Sequence, residues 1–196
     1  MGGATVDGLL TSSLLNASDI TISDPCQPIL ERFANKGVSV TSDNEIAING
    51  ADIVMVFVKP WLVETVLKGI RTAFNPEKQL LVVVAAGVPS AKVAEWMDFT
   101  EEGFFLCIPN IAIAQRRSMT FLVPVRATTE TTTKVKAVFD DLGETILTDE
   151  QHLAAGTTLA SCGIAYALRY IRAAAEGGVE LGFRADDATR IVAQTV

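Results

Sequence analysis

The sequence predicts an α/β fold: a doubly wound open sheet followed by an all-helical segment. Three observations carry that expectation. Strand and helix signals alternate from the first residues to about Thr148. Two strands, Ile53-Val54-Met55-Val56-Phe57-Val58 and Leu80-Leu81-Val82-Val83-Val84, are apolar throughout, as strands are when helices cover both faces of a parallel sheet. After Thr148 the strand signals stop. Ala- and Gly-rich helical spacing, as in Leu168, Ile171, Ala175 and Val179, replaces them. Alternating βα units of this kind join through right-handed crossovers. We expect one domain over residues 1–148 and a helical one over 149–196.

The elements follow in order. Gly2-Gly3-Ala4 leads into a helix that continues through Asp7-Gly8-Leu9-Leu10, and Asp19-Ile20-Thr21-Ile22-Ser23-Asp24 is a strand ending in a carboxylate. Pro28 to Lys36 is a helix with proline in its first turn and Gly37 as its stop. Val38 to Thr41 is a short strand, and Ser42-Asp43-Asn44 caps a brief helix. Asp52 to Val58 is a buried strand. Leu62, Val63, Val66, Leu67 and Ile70 have helical spacing. Gln79 to Ala85 is the next strand, and Pro89-Ser90 opens the next helix. Phe104 to Ile108 and Met119 to Val123 are strands, Val135 to Leu142 a helix, and Gly143 to Leu147 a last edge strand.

The N-terminal order has a chemical meaning. A dinucleotide-binding unit runs strand, glycine turn, helix, then a second strand ending in an acid about 20 residues past the turn. Gly2 to Asp24 fits that spacing. The opening strand and first two glycines of the pattern are not in this sequence. We therefore expect a Rossmann-like dinucleotide-binding domain lacking its first strand. In the strand order 3-2-1-4-5-6 that strand is central, so its two neighbours lose their ladder partners. We read the chain as a shortened form of a longer gene product.

Composition narrows the function classes. The 196 residues carry a net charge of −7, with a pI near 4.7. An acidic chain without a basic block has no electrostatic footprint for nucleic acid or an anionic membrane. Hydrophobic residues make up 49% and charged ones 20%, and mean hydropathy is +0.33; burial should extend to an interface between copies. The longest apolar runs are too short to span a bilayer. No basic start precedes an apolar stretch, so no signal peptide is expected. Cys26, Cys107 and Cys162 are odd in number and far apart, which fits reduced thiols in the cytoplasm. No residues have metal-ligand spacing.

Candidate site residues lie where strands end, because open α/β sheets bind ligands outside the carboxyl ends of their strands. Val58-Lys59-Pro60 ends one strand. Pro60 forces Lys59 into extended geometry, so the loop either passes over a dinucleotide or presents an ordinary surface lysine. Ala85-Ala86-Gly87 ends the next strand, and small residues there allow a close backbone approach or simply form a turn. Pro109-Asn110 ends a third, as a ligand contact or a proline turn. Asp24 serves an adenosine ribose or a local cap, and Asn44 a cap or the adenosine. Cys162-Gly163 permits close helix packing or borders a cleft. His152 has no nucleophile partner and reads as a helix-start residue.

Taken in order, these segments resemble pyrroline-5-carboxylate reductase over nearly the whole chain. Phe57-Val58-Lys59-Pro60 is similar to the family's Ala-Val-Lys-Pro. Leu81 to Val88 is similar to its strand ending in Ala-Ala-Gly-Val. Cys107-Ile108-Pro109-Asn110 resembles Met-Pro-Asn-Thr. Ala160-Ser161-Cys162-Gly163-Ile164-Ala165-Tyr166 resembles Ser-Gly-Ser-Gly-Pro-Ala-Tyr, and Ala188 to Val196 resembles Ala-Ala-Gln-Thr-Val. Met1-Gly2-Gly3-Ala4 resembles the end of Gly-x-Gly-Asn-Met-Gly.

The resemblance implies an N-terminal dinucleotide domain and an all-helical domain that dimerises. It implies hydride transfer from NADPH or NADH to a cyclic imine, giving proline. By position, Gly2, Asn44, Val58, Lys59, Pro60, Ala85, Ala86 and Gly87 would contact the cofactor, with Asp24 near the ribose. Pro109, Asn110, Cys162 and Gly163 would border the small-molecule substrate. The implied assembly is a homodimer or higher homo-oligomer. Departures bear on substrate identity. Pro109-Asn110-Ile111 lacks the family's threonine hydroxyl, Cys162 and Ile164 change the cleft, and the Pro-Gly-Gly-Thr-Thr loop is absent. Asp24 would repel a 2′-phosphate, which favours NADH. Two other readings stay open: a non-catalytic dinucleotide-binding or dimerisation module, and a reductase of another imine or ketone.

Overall fold

The computed structural model describes residues 1–196. Helix α1 (Gly2–Leu9) is followed by strand β1 (Thr21–Ser23), α2 (Gln27–Ala34), β2 (Ser39–Thr41), α3 (Asn44–Ile48) and β3 (Ile53–Val56). The chain continues through α4 (Pro60–Ile70), β4 (Leu80–Val83), α5 (Ser90–Met97), β5 (Phe104–Ile108), β6 (Ser118–Val125), α6 (Thr129–Asp141) and β7 (Gly143–Leu147). Three helices finish it: α7 (Glu150–Gly156), α8 (Cys162–Glu180) and α9 (Ala185–Thr195). The sheet is Rossmann-like, and everything after β7 is helical.

Apolar strands at the centre follow from burial on both faces. β4 sends Leu81 and Val83 to one side and Val82 and Val84 to the other, the period-2 alternation of a strand. Leu81 and Val83 join Val63, Leu67 and Ile70 of α4 and Val93 and Met97 of α5. Val82 and Val84 join Leu9 of α1 and Val135 and Phe139 of α6. β5 divides likewise, with Phe104, Leu106 and Ile108 on the first side and Phe105 and Cys107 on the second. Each such side chain contributes about 1.5–3 kcal/mol through burial.

Strands β3, β4 and β5 pair in parallel. β6 runs antiparallel to β5, with Ile108 opposite Phe121, so the sheet is mixed rather than parallel throughout as the βα alternation implied. The cause is the short connection at residues 109–117. It holds one 3-10 turn, Ile111–Gln115, whereas a parallel crossover needs a dozen residues or more. β7 then returns parallel to β6 after α6.

β1 and β2 form a separate two-stranded parallel sheet. The inner edges of the two sheets therefore carry no ladder between them. On β3, the carbonyls of Asp52 and Val56 accept from Leu80 and Val84 of the β4 segment at 2.9 Å. Even-numbered residues thus face β4, and the backbone groups of Ile53 and Met55 face the open edge. On β1, Ile20 O and Asp24 N bond to the β2 segment, leaving Thr21 and Ser23 toward the open side.

A π-helical turn, Thr157–Ser161, separates α7 from α8, a break that helical spacing alone does not reveal. Thr157 and Thr158 donate their hydroxyls to Leu153 O and Ala154 O, a back-bonding that bends helices. Gly156 is pressed against Phe121, whose ring would lie 2.8 Å from an added Cβ.

Candidate functional site

Parallel pairing of Val56 with Val83, and of Val83 with Leu106, brings the carboxyl ends of β3, β4 and β5 to one edge of the sheet. The loops at Phe57–Lys59, Val84–Pro89 and Pro109–Asn110 form that rim. Lys59 is extended (φ −63°, ψ 146°), exposed, and immediately before the first residue of α4, as its proline neighbour dictates. Val58 is half-buried against the core. Pro60 starts α4, and Trp61 behind it is 75% exposed, a large aromatic at the rim that spacing arguments did not single out.

The middle loop is built for close approach. Ala85 is buried, Ala86 and Gly87 are exposed, and Gly87 has φ +75° with open space where a Cβ would stand. That backbone conformation is ordinary only for glycine. At the same rim, a Cβ on Gly2 would lie 3.1 Å from Phe57 Cβ. The start of α1 has no side-chain cap, so its first-turn N–H groups remain available to an anion.

Asn110 is 7% exposed, and its side chain has a structural task. Oδ1 accepts from Ala112 N–H at 3.1 Å, its own N–H donates to Ser118 Oγ, also 3.1 Å, and Ser118 Oγ lies 2.9 Å from Thr120 Oγ1. Cys107, on β5 below, is fully buried, and that burial pushes its thiol well above the usual range, so it is inert packing. The helical domain closes over this region: Ser161 Oγ donates to Pro109 O at 3.5 Å. Cys162, exposed, and Gly163, with open space around its Cβ position, begin α8 directly after Ser161.

Two residues sit apart from the five-stranded rim. Asp24 follows β1 in the two-stranded sheet, where Oδ1 accepts from Cys26 N–H at 2.8 Å, the local turn that competes with a ribose role. Asn44 is not the cap of its helix. Asp43 is, accepting from Glu45 and Ile46 N–H at 2.8 and 3.2 Å, because the residue one earlier has the extended backbone a cap needs. His152 lies in the first turn of α7, near the helix start as expected, with Nδ1 2.7 Å from Asp149 Oδ1. The His152 backbone N–H, then its ring, hold the Asp149 carboxyl below its usual value. A pairing between Ser90 and Glu150 was illegible, since 60 residues separate the two.

A Rossmann-like sheet whose carboxyl-end rim is faced by C-terminal helices is the architecture of the dinucleotide-binding folds. Residues 150–196 match the model described as pyrroline-5-carboxylate reductase dimerisation. Pyrroline-5-carboxylate reductase of Methanosarcina acetivorans is 30% identical over 200 residues, covering 100% of this chain and 73% of the relative. Pyrroline-5-carboxylate reductase 1 of Dictyostelium discoideum is 30% identical over 208 residues; the chain spans 37% of that relative's length. The crystal structure of Plasmodium falciparum pyrroline carboxylate reductase with NADP bound superposes with a TM-score of 0.89 at 21% identity, covering all of this chain and 71% of that one, which establishes the fold. This chain belongs to the pyrroline-5-carboxylate reductase family. Its dimerisation segment supports assembly with copies of itself. No helix is long and apolar enough to cross a membrane.

Proposed function

We propose that the chain is a pyrroline-5-carboxylate reductase: it reduces the cyclic imine 1-pyrroline-5-carboxylate to proline with NADPH or NADH. The observation that carries this is the rim itself, where the open, glycine-bearing loop Ala85–Gly87 lies between two other strand ends. The residues fit a dinucleotide. Gly2 and the uncapped start of α1 suit a pyrophosphate, and Val58, Lys59, Pro60, Ala85, Ala86 and Gly87 offer a flat, largely uncharged seat with one cation. Asp24 and Asn44 stand toward the adenosine side in this reading.

When bound, the cofactor supplies the hydride. The chain supplies position and dryness. Pro109, Asn110, Cys162 and Gly163 border the imine, and the Pro109–Ser161 contact closes the cleft from the helical side. Holding reacting atoms in near-attack geometry lowers a barrier by up to ~7–11 kcal/mol, and a protonated imine needs no strong acid beside it. Exposed Tyr166, Leu168 and Tyr170 on α8 and Leu181 and Phe183 beyond it would be covered in a homodimer. The free thiols of all three cysteines fit a cytoplasmic enzyme.

The test is loss of NADH or NADPH absorbance on adding pyrroline-5-carboxylate. Dinucleotide binding without turnover would replace the proposal by a non-catalytic module. Turnover only with another imine or ketone would support the related-reductase reading, which Ile111, 57% exposed beside the substrate border, favours.

A further inference from the structure

Helix α5 begins at Ser90 after Pro89, and no side chain of its own N-cap residue satisfies it. A carboxylate from the other domain does. Ser90 N–H donates to Glu150 Oε1 at 2.9 Å, and Ser90 Oγ donates to Glu150 Oε2. An anion at the positive end of a helix, accepting two hydrogen bonds, is a favourable charge-assisted pairing. Its placement matters more than its strength. Ser90 ends the Ala85–Pro89 rim loop, and Glu150 is the first residue of α7. α7 runs into the π turn whose Ser161 touches Pro109 on the same rim. One carboxylate therefore ties the floor of the cleft to its helical wall.

We infer that Glu150 is a positioning residue: it holds the Ala85–Ser90 loop where the dinucleotide is received and so sets the cleft width. This rests on the reductase reading above. A misplacement of about 1 Å in such a loop can cost ~100-fold in rate, far more than the loss of one exposed cap would suggest.

The experiment compares the full chain with Glu150→Ala, Glu150→Gln and Ser90→Ala. Amide hydrogen exchange at residues 87–93 is measured beside NADH affinity, kcat and KM. We expect exchange at Ser90 at least tenfold faster in Glu150→Ala, with β4 unchanged. NADH affinity should fall at least fivefold and kcat at least tenfold, while KM for the imine changes less than twofold. Glu150→Gln, whose amide oxygen still accepts, should stay within threefold of the parent, and Ser90→Ala should fall between. Unchanged exchange at Ser90 in both Glu150 variants overturns the inference. Faster exchange with unchanged NADH affinity and kcat also overturns it, reducing Glu150 to a cap. If the parent chain turns over while the variants match it, the inference fails and the reductase stands. If the parent binds no dinucleotide, the reductase reading fails and takes the positioning role with it. Should Glu150→Ala not fold, Ser90→Ala decides: exchange at residue 90, NADH affinity and kcat all at the parent's values overturn the inference.

Discussion

Gly8 lies where α1 crosses the turn after β5. An added Cβ would stand 2.3 Å from Ile113 O and 2.9 Å from Leu142 Cδ2, and a backbone oxygen cannot swing aside. Gly8→Ala should therefore destabilise by about 3 kcal/mol, the upper end for overpacking, read as a lower urea midpoint with unchanged slope. Asp7, one residue earlier, binds Arg32 at 2.5 Å and Lys36 at 2.6 Å, both of which also sit over the Phe33 ring. Burial opposes ionisation of Asp7, but the hydrogen bonds from Lys36 and Arg32 and their charges outweigh it, and its carboxyl titrates below 3.8. A lowered folded value means the stabilisation is present above pH 3.8 and disappears as pH falls through the lowered one. The cationic partners are about half exposed, so Asp7→Asn should cost only ~0.5–1 kcal/mol at pH 7. Denaturant unfolding at pH 7 and near pH 2 checks this, because the two proteins should converge in acid. At this scale the sequence was partly readable. Proline and glycine announce their backbone, so Lys59 and Gly87 could be marked. The tasks of Asp24, Asn44 and Asn110 could not, because a side chain that can cap or bind reads the same until its neighbours are known.

Elements were more legible than their directions. β5 and β7 have the bounds their apolar patterns implied, and β4 is apolar for the reason expected, helices on both sides. The reversal at β6 was hidden because periodicity carries no direction; the evidence lay in the shortness of residues 109–117. The π turn at Thr157–Ser161 directly follows Gly156, which packs closely on Phe121, a contact between segments distant in sequence that helical spacing does not carry. The open edge of β3 makes a prediction for its own amides. Met55 should exchange at least tenfold faster than Val54 and Val56 in native-state hydrogen exchange, although all three lie in one strand, because its N–H has no β4 carbonyl to meet. Equal protection would mean the edge is covered.

At the scale of the whole molecule, α8 and α9 bury little against their own chain. Only Ala175 and Ala188 are fully covered, while Leu181 is 85% exposed and Phe183 53%. Apolar area of that kind is stable in water only when a partner removes it. Light scattering should give at least twice the 20.9 kDa chain mass, and a Leu181→Glu, Phe183→Glu double substitution should return the single-chain value. The sequence placed such an interface in the Ala- and Gly-rich helices after Gly163, and high hydropathy agreed with it; which side chains stand uncovered needed the helices to be seen.

The divided sheet has one more consequence. Two rows of N–H and C=O groups, at Thr21 and Ser23 and at Ile53 and Met55, face away from their own sheets' ladders, and an extended segment laid along either row would find donors and acceptors to pair with. Turbidity of this 196-residue chain on gentle heating should climb steeply with concentration, and Thr21→Lys, which puts a charge at an exposed position of the β1 margin, should slow it without lowering the melting temperature by more than a few degrees.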